Sequence, residues 1–132
     1  MSRGRRIIVN RLVDMWDPLS ALEIKKMSLR EISKIPPISE FQEMDSRDLR
    51  YHQGRVHHFV RCLAEGAALD PISIDNDCGD GYNILPFPVV YDGNHRLIAH
   101  ILTERQTIQA HYGGRCDLLR YLQGYRKFAP EY

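Results

Sequence analysis

A chain of 132 residues and 15.4 kDa has the length of one domain, since a compact domain of about 100–150 residues uses most of such a chain for its core. Hydrophobic residues make up 43% and charged residues 27%, ordinary values for a globular protein that exclude wholesale disorder and fibrous classes. Eighteen Lys and Arg against 17 Asp and Glu give a formal net charge of +1, too little for a surface devoted wholly to polyanions, so any nucleic-acid contact has to be local.

No apolar run approaches the roughly 20 residues of a membrane helix, and the opening MSRGRRIIVNRLVD has charge on both sides of a very short apolar stretch. The expectation is no membrane partner and no secretory signal. Cys62, Cys78 and Cys116 are odd in number, widely spaced and without a C-x-x-C pair, which argues against a disulfide framework and a structural zinc site. A cytoplasmic location follows as the expectation.

In chain order, residues 1–12 hold Arg3, Arg5, Arg6 and Arg11 with no acid, and read as a basic, solvated terminus able to touch phosphates. Asp17 and Pro18 form a cap and first-turn pair for a short added helix through Leu19, Leu22 and Met27. Ile32 to Pro37 reads as a short strand ended by two prolines. Ser46 and Asp48 then start the longest helix, with Leu49, Val56, Phe59, Val60 and Leu63 on one face, Gly54 as a weak point that could divide it in two and Gly66 as its stop. Pro71 to Ile74 alternates as a strand, and Asp75 to Gly81 reads as a turn-rich loop. Pro88 to Tyr91 is a strand closed by Asp92 and Gly93, followed by a helix carrying Leu97, Ile98, Ile101 and Leu102. Thr107 to His111 supplies a further strand broken by Gly113 and Gly114, and Asp117 caps a last helix through Leu118, Leu119 and Leu122. The sum is an α+β domain, a small mixed sheet packed by helices. The division is an N-terminal arm and helix at 1–31 and the domain proper at 32–132.

Chemistry concentrates at the strand, turn and helix around Asp92-Gly93-Asn94-His95-Arg96. Gly93 allows a tight turn and close backbone approach, and the first amides of the following helix lack partners within it and sit at its positive end. Arg96 adds a planar charged fork suited to phosphate oxygens, and His95 a ring donor whose charge varies near neutral pH. The same residues also suit an ordinary corner in which Asp92 or Asn94 caps the helix and Arg96 pairs with a nearby acid.

With a hydrophobic strand before it and Leu97-Ile98-Ala99-His100 after it, this pentapeptide resembles the phosphate-binding signature of the ParB/sulfiredoxin superfamily. Gly66 through Asp70-Pro71-Ile72-Ser73-Ile74 resembles the glycine and Pro-Ile-x-Val of ParB-type domains, and Leu119 to Gly124 the last helix of sulfiredoxins, so the likeness covers roughly residues 32–124. It implies that Gly93, Asn94, His95 and Arg96 form the nucleotide-binding set, with His95 and Arg96 on the phosphates and Gly93 as the turn, and that ATP or CTP with Mg2+ is bound. Asn94 replaces the sulfiredoxin cysteine, and an amide is no substitute for a thiolate nucleophile, so sulfinic-acid repair is not implied. Asn94 and His95 likewise depart from the Gly-Glu-Arg-Arg of CTP-using ParB proteins.

The resulting expectation is metal-assisted phosphoryl transfer, or hydrolysis of a nucleotide or nucleic acid, with Asp92, His95 and Arg96 as catalytic residues and Asp92 as metal ligand. Two alternatives stand beside it: a non-catalytic adaptor or partition accessory that binds nucleotide or DNA at the same turn, and a small-molecule, amino-acid kinase. Glu40, Glu43 and Asp45 are further acids that could approach a nucleotide. His57 and His58 point about 100° apart on a helix and do not share a metal. Tyr91, beside the turn, is the favoured base contact among Tyr82, Phe87, Tyr91 and Tyr112.

Overall fold

The computed structural model describes residues 4–18, 49–77 and 84–130. The added helix expected after Pro18, the strand at Ile32 to Pro37, the acids Glu40, Glu43 and Asp45, and the division at residue 31 lie outside these residues. Among the described residues, four strands and four helices succeed one another: β1 Arg5–Ile8, α1 Val9–Val13, α2 Leu49–Ala64, β2 Ile72–Asp77, β3 Ile84–Asp92, α3 Asn94–Leu102, β4 Thr107–Gly113 and α4 Cys116–Gln123. The α+β expectation holds at this level.

The strands form one mixed sheet in the order β1-β4-β2-β3. β2 and β3 pair antiparallel with two register shifts, β2 and β4 run parallel with Ile72 opposite Ala110, and β1 closes the other edge antiparallel to β4. Parallel neighbours need a crossover, and the connection from β2 to β4 makes it through β3 and α3. Alternation places Ile72, Ile74, Ile108 and Ala110 on the covered side of the sheet with Val90 and Ile7. Leu12 of α1, Leu97 of α3 and Leu118 and Leu122 of α4 close over them to make the main core. A second cluster joins Val56 of α2 to Ile98 and Ala99 of α3, with Phe59, Val60, Leu63 and Leu102 packed around it.

Three expectations change. The basic terminus, read as solvated, instead supplies β1 and α1, whose Ile7, Val9 and Leu12 are fully buried. Asp75 to Asp77, read as loop, extend β2, with Asp75 opposite Val89 of β3 and Gly113 of β4 and Asp77 opposite Ile84 of β3. Gly54 does not divide its helix, which runs unbroken for 16 residues. The expected stop is built as drawn: Gly66 lies at φ +78°, and the bonds from the Ala67 amide to the Cys62 carbonyl and from the Gly66 amide to the Leu63 carbonyl form a Schellman closure.

Candidate functional site

The corner between β3 and α3 is set by Gly93, whose φ of +100° suits glycine alone among the common residues. Space enforces the same choice, since a Cβ there would stand 2.5 Å from Ile72 Cγ2 and 3.0 Å from the Arg96 guanidinium. Gly93 is the residue preceding the helix, and its carbonyl accepts the first helical bond from the Leu97 amide at 2.9 Å. Neither Asp92 nor Asn94 caps the helix through its side chain.

Asn94 acts as a tie. Its Nδ2 donates to the Val90 carbonyl at 3.0 Å, and its Oδ1 accepts from Trp16 Nε1 at 2.9 Å, which fastens the chain after α1 to the corner. Arg96 turns its guanidinium toward β2. One nitrogen donates to the carbonyls of Asp70 and Pro71 at 2.8 and 3.2 Å, and the other reaches the Asp92 carboxylate at 3.3 Å. The arginine side chain is only 12% exposed, while the Asp92 side chain is 67% exposed, so this ion pair is carried at the surface end and contributes little by itself. The pairing of Arg96 with a nearby acid is therefore present, alongside the two carbonyls that sequence reading gave no sign of.

His95 faces α2. Its Nε2 lies 2.8 Å from Nδ1 of His52, with the two rings 19° from parallel and their centroids 5.0 Å apart, so they meet nitrogen to nitrogen. One inner nitrogen must carry the hydrogen and the other accept it. Burial pushes the His95 pKa down to about 4, and the neighbouring His52, Arg55 and Arg96 push it the same way. The ring is thus uncharged at neutral pH, which corrects the expectation of a charge that varies there. His100, one turn on, places Nδ1 2.7 Å from the Arg96 carbonyl and is also held below the ordinary histidine value, chiefly by burial.

Beside this corner opens a cleft of about 350 Å³ lined by Arg55 and Phe59 of α2, Ala68, Leu69 and Asp70 of the following segment, and Arg96 of α3. Arg55 makes no ion pair with a described carboxylate; its guanidinium lies 5.3 Å from the Phe59 ring. Two cations from two helices therefore border one open space with an aromatic wall. Of the residues named from sequence, Arg96 lines the cleft, Asp92 is bonded to Arg96 outside the lining, and His95 and Asn94 are engaged in bonds between elements. Tyr91 is 66% exposed at the end of β3, outside the cleft lining.

Arg55 and His52 escaped sequence reading, and Phe59 was legible only as part of an apolar helix face, because they come from a helix some 40 residues upstream and carry no motif. A periodic signal was nevertheless present, since Arg55 and Phe59 stand four apart and share a helix face. Among the described residues no three His, Cys, Asp or Glu gather as a metal site. Comparison with protein families, curated proteins and solved structures finds no match to this chain. No described helix is long and apolar enough to cross a membrane.

Proposed function

We propose that this protein binds the phosphate groups of a nucleotide in the cleft between α2 and α3. The observation that carries the reading is the convergence of Arg55 and Arg96 on one open space beside Phe59 and Leu69. Guanidinium groups recognise phosphate oxygens through paired, charge-assisted hydrogen bonds, and an aromatic ring with an apolar neighbour offers a surface for a base. Arg55 has the greater freedom to meet the ligand, because Arg96 already serves two backbone carbonyls and Asp92. The resemblance of Asp92 to Arg96 to the ParB/sulfiredoxin signature points to the same ligand class.

Mg2+ belongs to the reading as a companion of the phosphates. Such an ion needs only one or two protein carboxylates when phosphates supply other oxygens, and the exposed acids here are Asp70, which lines the cleft, and Asp92, which is bonded to Arg96 at its edge. When bound, the ion would neutralise phosphate charge. Phosphoryl transfer or hydrolysis is the catalytic extension of the same site, and a binding adaptor its non-catalytic form.

A thermal-melt panel tests the proposal with ATP, CTP, pyrophosphate and inorganic phosphate, each with and without Mg2+. A ligand at about 100 times its Kd adds roughly 2.7 kcal/mol to stability, a shift of several degrees for a chain of this size. At least one nucleotide should raise the melting temperature of the wild type and fail to do so for Arg55→Ala, whose own melting temperature without ligand should stay near that of the wild type. No shift with any compound, or the same shift in Arg55→Ala, contradicts the assignment. Phosphate release in the positive mixtures then separates an enzyme from an adaptor.

A further inference from the structure

The two ends of the described chain fold against each other. β1 is hydrogen-bonded to β4, and α4 packs on β1. Arg11 of α1 sends one guanidinium nitrogen to the carbonyls of Tyr121 and Arg126, and its guanidinium lies 4.6 Å from the centre of the Tyr121 ring. A Cβ on Gly124 would come within 2.9 Å of Ile8 Cδ1, which shows how closely the turn after α4 approaches β1.

This folding gathers charge. Residues 4–13 and 115–128 contain seven of the 18 Lys and Arg of the chain and only one of its 17 Asp and Glu. That acid, Asp117, is held by Arg115 through bonds of 3.0 and 2.6 Å and has Arg126 at 3.9 Å. The two packed segments are therefore strongly basic, with the exposed Asp14 at the end of α1 beside them, and the rest of the sequence is net acidic. Arg5, Arg6, Arg120, Arg126 and Lys127 are exposed on this basic pole.

The same pole displays aromatic rings. Tyr125 is 79% and Phe128 70% exposed, although the backbone carrying them is fixed: the Tyr125 amide bonds the Arg120 carbonyl at 2.8 Å, Arg11 holds the Arg126 carbonyl, and Pro130 is buried. Fixed backbone with outward rings is a presented surface rather than a frayed end.

We infer that this basic pole, with Tyr125 and Phe128 at its surface, binds single-stranded nucleic acid. Cations attract the phosphate chain, and exposed rings stack on bases, which a single strand offers and a duplex keeps paired and stacked. No residue of the pole lines the α2–α3 cleft, so the inference stands apart from the nucleotide reading.

Fluorescence anisotropy with a labelled 12-nucleotide oligo-dT in low salt tests it, using the full chain. Saturable binding is expected, weakening as salt rises with a log–log slope of about −2 to −3 if three or four phosphates are neutralised. The double variant Tyr125→Ala/Phe128→Ala should bind about ten-fold more weakly or worse, Arg120→Glu/Lys127→Glu should also lose affinity, and Arg61→Glu, at an exposed arginine of α2 outside both the pole and the cleft, should bind like the wild type. All the substituted pole residues are exposed, and circular dichroism of each variant should match the wild type. Absence of binding in low salt, unchanged affinity in both double variants, equal competition by a duplex of the same phosphate number, or sedimentation with phosphatidylserine vesicles in place of oligonucleotide binding would each overturn the inference.

Discussion

Gly93 shows how a single position can be constrained twice. Its backbone lies in the left-handed region, and the room a side chain would take is filled by Ile72 and the end of Arg96. Gly93→Ala should therefore cost roughly 2–4 kcal/mol, combining left-handed strain with overpacking, as read by urea denaturation. A cost below about 1 kcal/mol would show that the corner relaxes. His95 makes a second prediction at this scale. Its folded pKa of about 4 lies below the ordinary value of 6.5, so the unfolded chain takes up a proton more readily between them. The stability from neutral His95 is fully present above pH 6.5 and is lost as pH falls through about 4, a change on the order of 3 kcal/mol. His100 adds a change of the same sign. His95→Gln should flatten the stability profile between pH 4 and 6.5; an unaltered slope in that variant would refute the assignment. The glycine and the arginine of the corner were legible in the sequence as residue types. The partner of His95 was not, since nothing in a linear spacing of 43 residues announces that two rings meet.

At the level of elements, α3 is anchored at its amino end by a strap to β2. Arg96 satisfies the carbonyls of Asp70 and Pro71, which precede the strand, while Leu97 of the same turn enters the core. Arg96→Ala should destabilise the fold by about 2–3 kcal/mol, because two carbonyls lose a charged donor, and Arg96→Lys should recover only part, since an ammonium does not reproduce the planar fork. Equal stability of all three proteins in chemical denaturation would show that Arg96 does not serve as the strap. This separates the two arginines of the cleft: Arg96 holds structure as well as lining the space, whereas Arg55 is expected to matter for ligand alone. Elements with a clear period were readable: the apolar face of α2, the Gly66 stop, and the strand, turn and helix around Gly93. β1 was missed because only Ile7 and Ile8 mark it amid arginines, and its burial depends on β4, 100 residues away. The end of β2 was missed because Asp75 to Asp77 are paired by backbone, which their side chains do not reveal.

For the whole molecule, the succession of periodic elements in the sequence indicated a mixed α and β fold, but net charge concealed how charge is distributed. A value of +1 conceals two basic segments, 4–13 and 115–128, in a sequence whose remaining residues are net acidic, and only the folded arrangement of β1, α1 and α4 brings these two segments together. The cleft is similarly a product of the fold, combining α2, the segment before β2 and the first turn of α3. Its proposed role as a phosphate site is tested most directly by isothermal titration of wild type and Arg55→Ala with the nucleotide and Mg2+ that give the largest melting shift. Removing one charge-assisted contact worth about 1.5–3 kcal/mol should weaken binding at least ten-fold. Equal affinity in the two proteins, or no measurable heat with either, would contradict it.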